Sequence, residues 1–310
     1  VITLVWQFAL FTAVLAVAAC IAYEPLRRGD KLDLLDRKER KIFNYFHDFS
    51  RLLTYFTGFL TFILSFFNSI VFYRWWHMRE LCGSIVKASQ NTATQVAAFF
   101  IKVPPSGEAA VQQARKDLIR LLGLGHAVSM QACHRVRDLD WLIKHRLLLR
   151  DSDEHKALQQ IRGPGYVVVY AWYIHKAYAY AAQGMMDERW QASVLYLMRW
   201  SLCNACNNAE DLMMHLNQQV PLAYCHLLEM MTTIYVLILP IALVPSLSFT
   251  AVPVAPIVTF FFYGFFKLGT SVLMDPFQKD SGFDTAQFLT SNLLTMESLE
   301  RTVPLDWPLH

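Results

Sequence analysis

Residues 52–73 read LLTYFTGFLTFILSFFNSIVFY, and Arg74-Trp75-Trp76 closes the run. These 22 residues carry no side chain charged at neutral pH. About 20 residues, rising about 1.5 Å each, take a helix across a hydrocarbon core. The stretch therefore predicts a membrane span. It is not uniformly apolar: Thr54, Thr57, Gly58, Thr61, Ser65, Asn68 and Ser69 interrupt the aromatic run. Lipid cannot hydrogen-bond such groups, so they are expected to face other helices or a water-filled path. Gly58, Phe62 and Phe66 are spaced four apart and share one helical face. A small residue followed by two phenyl rings fits either a packing seam or the wall of a pore.

The 310-residue chain is 55% apolar and 17% charged. A soluble domain averages about 25% charged residues, so this composition indicates an integral membrane protein with a large polar part. The net charge of +3 and the lack of a dense basic tract give no case for nucleic acid. Four spans emerge, at about 2–23, 52–73, 228–245 and 251–274. Pro240 predicts a kink in the third, and Pro253 and Pro256 sit where the first turns of the fourth tolerate proline. The apolar run Ile2–Tyr23 is longer than the core of a secretory signal, which favours a span. Starting inside that run without Met, the chain reads as a piece of something longer.

Residues 24–51 form a charged connection with eight Lys/Arg and six Asp/Glu. The first segment is thus 1–73, two spans and their connection. A polar helical domain follows over 74–227, then the span pair 228–274, then a C-terminal helical segment, 275–310, expected to pack on the polar domain. Within the polar domain a helix over 75–102 is expected to end at Pro104-Pro105. One or two long helices cover Glu108–Leu149, and Gly163-Pro164-Gly165 is a break. In Tyr166–Gln183 only His175 and Lys176 carry charge near neutral pH; it could pass for a fifth span, but its aromatic content and its place between soluble-looking helices favour a buried helix of an oligomeric core. Asp187–Leu216 is a final long helix. No period-two pattern stands out, and the expected fold is all-α. The basic connection favours a cytoplasmic 24–51, yet a two-span hairpin puts it opposite the polar domain, so sidedness stays open.

Ten histidines include no HExxH pair; His126 and His134, eight apart, read as satisfied or solvated. Cys203-Asn204-Ala205-Cys206 is a lone CxxC, read as helix cysteines rather than a metal or redox site. No GxSxG, Walker loop or GxGxxG occurs, so no enzyme is expected. Lys267, eight residues before Asp275, stands in the fourth span. A charge at the centre of a span costs roughly 2.5–3.5 kcal/mol and less toward its ends. Two readings stand: an interhelical or snorkelling lysine, and a positive group beside a permeation path. The run DPFQKDSGFD, Asp275–Asp284, reads as a solvated helix exit.

Several segments together resemble the bestrophin family of pentameric ion channels. They are the second span ending in Arg74-Trp75-Trp76; Val220-Pro221-Leu222-Ala223-Tyr224 ahead of the third; Phe260-Phe261-Phe262-Tyr263-Gly264 with Lys267 in the fourth; Asp275-Pro276-Phe277; and Asn292-Leu293-Leu294. Each motif is weak alone; five in the family's order, over nearly the whole chain, are strong. The resemblance implies a homopentamer in a lipid bilayer with its pore on the symmetry axis and a cytosolic vestibule. The family's three neck positions fall on Gly58, Phe62 and Phe66, where Gly58 departs from the usual bulky residue. A second, inner constriction falls near Met185, Met186 or Trp190, and Lys267 is the pore-associated charge. Animal members carry a calcium clasp of acidic residues after the PF motif. Here that run is Gln278-Lys279-Asp280-Ser281-Gly282, one residue shorter and mostly not acidic, which leaves Asp280 and Asp284 as weak metal candidates. Little activation by calcium is therefore expected. The expected permeant ions are anions such as chloride; a cation channel, or the channel part of a fusion with an N-terminal domain, is the alternative.

Overall fold

The computed structural model describes residues 2–32, 36–105, 107–277 and 284–302, and these contain helices and no strand. The helices are α1 (Ile2–Lys31), α2 (Arg37–Phe99), α3 (Glu108–Cys133), α4 (Leu139–Lys144) and α5 (Asp153–Gln160), then α6 (Gly165–Tyr180), α7 (Glu188–Asn217), α8 (Leu222–Leu247), α9 (Ala251–Lys267) and α10 (Thr285–Thr302). Widened π turns extend α6 over Ala181–Met185 and α9 over Leu268–Leu273.

The chain divides into two compact units: residues 1–75 with 219–276, and 76–218 with 277–310. In the first, three helical stretches are long and apolar enough to cross a membrane: Thr3–Lys31, a part of Arg37–Phe99, and the 52 residues Leu222–Leu273. The last holds α8 and α9, joined by a short 3-10 turn at Ser248–Thr250. Ser248 sits there at φ 49, held by the Cys20 thiol on its carbonyl at 3.3 Å and by Arg27 on its hydroxyl at 3.1 Å. α1 packs along α9 and α8 through small residues, with Ala9, Thr12, Ala16 and Cys20 buried. Small side chains let helix backbones approach closely where apolar surroundings supply no hydrophobic drive. α8 runs unbroken through Pro240 and Pro245.

Two boundaries differ from the sequence expectation. The charged connection 24–51 is largely helix, with α1 reaching Lys31 and α2 starting at Arg37. Tyr23 packs there on Phe43 and Phe46, with ring centroids 5.6 and 5.3 Å away. The second span and the first helix of the polar domain are likewise one element, α2, 63 residues long. No proline stands within it, and charged side chains alone do not end a helix.

The second unit builds one core from α3, α6, α7, α10 and the later part of α2. Tyr166, Tyr170 and Tyr173 of α6 are buried in it, as the apolar pattern predicts. The Ser201 hydroxyl of α7 donates to Ala88 O at 3.0 Å, and buried Arg115 of α3 donates to Ala97 O in the last turn of α2. A cation there meets the negative end of the helix dipole.

Candidate functional site

α2 packs in its own unit through Leu53, Leu60, Leu64, Phe67 and Val71, all buried against α8 and α9 side chains. At about 100° per residue, the nine steps from Leu53 to Phe62 turn the helix to the opposite side. Phe62 is accordingly 71% exposed and Phe66 56%. Gly58 is exposed in the same line, and a Cβ there would meet nothing within 4 Å. The structure thus brings the three expected neck residues onto one face that the unit itself leaves uncovered.

The polar groups of this span are satisfied largely by the helix itself. Thr54, Thr57, Asn68 and Ser69 donate to the carbonyls four residues earlier at 2.7–3.0 Å. Thr57 also meets Tyr235 Oη of α8 at 3.2 Å. On the packed side, a Cβ on Gly269 would lie 2.7 Å from Phe67 Cε1 and 2.9 Å from Asn68 Oδ1. Glycine is what allows the π turn of α9 so close to α2.

Lys267 is engaged within its unit. Its Nζ donates to Glu229 Oε1 of α8 at 2.8 Å and lies 5.4 Å from the ring centroids of Tyr263 and Phe266. The pair borders a cavity of about 570 Å³ that His226, Thr270 and Ser271 also line. The pair joins α8 to α9, as an interhelical lysine would. No sequence signal marked Glu229 as the partner. Arg74, buried at the end of the span, faces the carboxylate of Asp275, so two of the motifs meet by charge.

In the second unit the π turn after α6 contains Gly184 at φ 84. Met185 and Met186 are buried in the core, and Trp190 is 52% exposed. The three residues named for an inner constriction therefore do not share a surface. Asp187 caps α7 by accepting from the Arg189 amide at 2.9 Å. Its hydrogen bonds from the Arg189 guanidinium and amide hold its carboxyl down at about 2. Just before the turn stands an ion cluster that sequence reading missed. Arg120 donates to Asp117 at 2.8 Å and to both oxygens of Glu154 at 2.8 and 3.0 Å. Lys176 reaches Asp117 at 2.8 Å and Glu154 at 3.3 Å, and Tyr180 Oη donates to Asp117 at 2.9 Å. Although burial opposes ionisation, these bonds hold both carboxyls below the usual range. The one clue in sequence was a lysine inside the apolar α6.

Asp280, with the rest of 278–283, lies outside the described residues. Asp284 is described, and its Oδ1 accepts from the Gln287 amide at 3.1 Å, capping α10. His134 ties both flanks of the segment: its Nδ1 lies 2.9 Å from Phe277 O and its Nε2 2.6 Å from Thr285 Oγ1. Calcium takes six to eight oxygens, mostly from carboxylates and carbonyls. A run offering one Asp, followed by an Asp spent on a helix cap, does not fit that requirement.

Described residues that are helical throughout their regular structure, with three stretches long and apolar enough to cross a membrane, define the class of helical membrane proteins. A family model described as "Bacterial/Fungal Bestrophin protein" matches residues 1–283. The chain belongs to the bestrophin family, a family of ion channels rather than enzymes. Its fold is similar to a bacterial bestrophin homolog from Klebsiella pneumoniae, with a TM-score of 0.75 at 15% identity over 95% of this chain and 97% of that one. A point variant of that homolog gives 0.74 at 16%, over 95% and 98%. A further crystal structure, described only as that of a membrane protein variant, gives 0.76 at 15%, over 96% and 98%. No curated protein matches the chain.

Proposed function

We propose that the chain assembles as a cyclic homopentamer with four spans per subunit. In this reading it conducts anions such as chloride through a neck of Gly58, Phe62 and Phe66. The observation that carries this is the alignment of the three residues on the α2 face opposite its packing side. Closing five such faces around an axis makes a narrow apolar ring that blocks ions by dewetting. Gly58 leaves the outer ring wide. Exposed aromatic and aliphatic surface on α7, at Tyr196, Leu197 and Trp200, supports assembly, because such residues are enriched at interfaces.

Phenyl rings are positive at the edge, and residues 52–73 contain no carboxylate that would attract cations. Lys267, neutralised by Glu229, acts as a clamp between α8 and α9, so the anion reading does not draw on it. Weakly hydrated anions such as iodide or nitrate should pass more easily than chloride. Trp190 is the member of the inner set available to a second constriction. Glu188 beside it, its side chain 88% exposed and 3.8 Å from Lys102 Nζ, is the acidic group that the cation alternative would draw on at that point. Reversal potentials in a salt gradient across a bilayer decide between the two: a shift toward the potassium equilibrium potential overturns the anion assignment. Replacing Phe62 and Phe66 together by Ala should raise leak current and open probability. Mass in detergent should be near five times 35.7 kDa.

A further inference from the structure

Three arginines line one cavity of the second unit with no carboxylate beside them. The cavity, about 410 Å³, lies between the end of α3 and the start of α6. Sites for small molecules span about 300–1,000 Å³. Its charged residues are Arg135, Arg137 and Arg162, all exposed, and among the described residues no Asp or Glu lines it. Some other arginines of this unit meet carboxylates: Arg120 with Asp117 and Glu154, Arg150 with Asp140, Arg189 with Asp187. Arg135 and Arg162 have no ion pair among the described residues. Arg137 donates Nη1 to Ile161 O at 2.8 Å, which ties the linker before α6 and leaves its other N–H groups for a ligand. The adjoining depression shares Val136, Arg137 and Leu139, and it is that depression that Asp138, Asp140 and Asp151 line.

Val128, Leu139 and Leu158 form an apolar part of the wall, which Gln131 also lines. The Gly163-Pro164-Gly165 break brings the start of α6 against it. A Cβ on Gly165 would meet Val128 Cγ1 at 3.1 Å and Leu158 Cδ2 at 3.4 Å. No side chain caps α6 at Pro164, and the Val167 amide donates to Pro164 O at 3.3 Å. Guanidinium forks match phosphate oxygens two at a time. A phosphate dianion answers the excess positive charge better than a carboxylate. A bare phosphate would leave the apolar wall uncovered.

We propose that this cavity binds an organic phosphate monoester, its phosphate on Arg135, Arg137 and Arg162 and its apolar group on Val128, Leu139 and Leu158. A soluble ester and a phospholipid headgroup share this chemistry. The test is calorimetric titration of phenyl phosphate into the 310-residue protein in phosphatidylcholine nanodiscs, with inorganic phosphate and phenol as controls. Phenyl phosphate should bind saturably, at least tenfold more tightly than inorganic phosphate, and more weakly as salt rises; phenol should not bind. The variant R135Q/R162Q, altered only at exposed side chains, should lose at least tenfold in affinity, and Asp151→Asn in the adjoining depression should not. Phosphatidic acid added to the nanodiscs competes if the source is lipid and leaves binding unchanged if it is a soluble ester. Equal binding by wild type and R135Q/R162Q, binding of phenol, or no saturable binding of phenyl phosphate overturns the proposal.

Discussion

His126 is fully buried on α3, with its Nδ1 2.9 Å from the Asn292 side-chain amide. Burial pushes the imidazole down to about 4, so the folded protein holds it neutral, with Nδ1 accepting from Asn292. The unfolded chain takes up that proton near 6.5. The contribution to stability is therefore complete above about pH 6.5 and is lost as pH falls toward 4, at up to about 1.4 kcal/mol per pH unit. Thermal unfolding between pH 7.5 and 5 should fall less steeply in His126→Gln than in wild type; parallel curves would sink this. Sequence placed His126 and His134 only as two histidines of a helix, because their partners lie 166 and 143 residues away. Gly269 carries a second expectation. Gly269→Ala must displace Phe67 or Asn68, at a cost of about 1–3 kcal/mol by overpacking. Unitary conductance should change without any neck side chain being touched. An unaltered conductance and melting temperature would show that the contact yields freely.

Among the elements, α2 and α6 show what sequence makes legible. The burial of α6 followed from its apolar composition, and the shared face of Gly58, Phe62 and Phe66 from periodicity, because helical spacing alone decides which side chains share a side. The continuity of α2 did not, because a change from apolar to charged composition was read as a break although no helix breaker stands there. The cluster under α6 was equally hidden, since Asp117, Arg120, Glu154 and Lys176 converge only through tertiary packing. Arg120→Met would leave two carboxylates with a single lysine. Removing one partner of a largely buried ion pair costs about 3–5 kcal/mol. Denaturant unfolding should show a loss of that order, and a loss below about 1 kcal/mol would mean that water replaces the guanidinium. Double replacement of Arg120 and Glu154 should cost less than the sum of the two singles.

For the molecule as a whole, family membership and helical architecture were both readable, because motif order survives where overall identity to solved relatives is 15%. Met185 and Met186 are buried at the end of a π turn, Ala181–Met185, whose extra residue no periodicity announces. With one Asp in the run after Phe277, micromolar calcium should leave open probability nearly unchanged; a steep dependence abolished by Asp280→Ala would reverse that reading. The His134 tie has a consequence for this segment. One imidazole fixes Phe277 and Thr285, so the ends of 278–283 are anchored independently of what lies between them. Closure entropy grows slowly with length, about 0.6 kcal/mol for each doubling. A longer acidic insert between Phe277 and Thr285 should therefore leave both His134 contacts in place, at little cost to the surrounding helices.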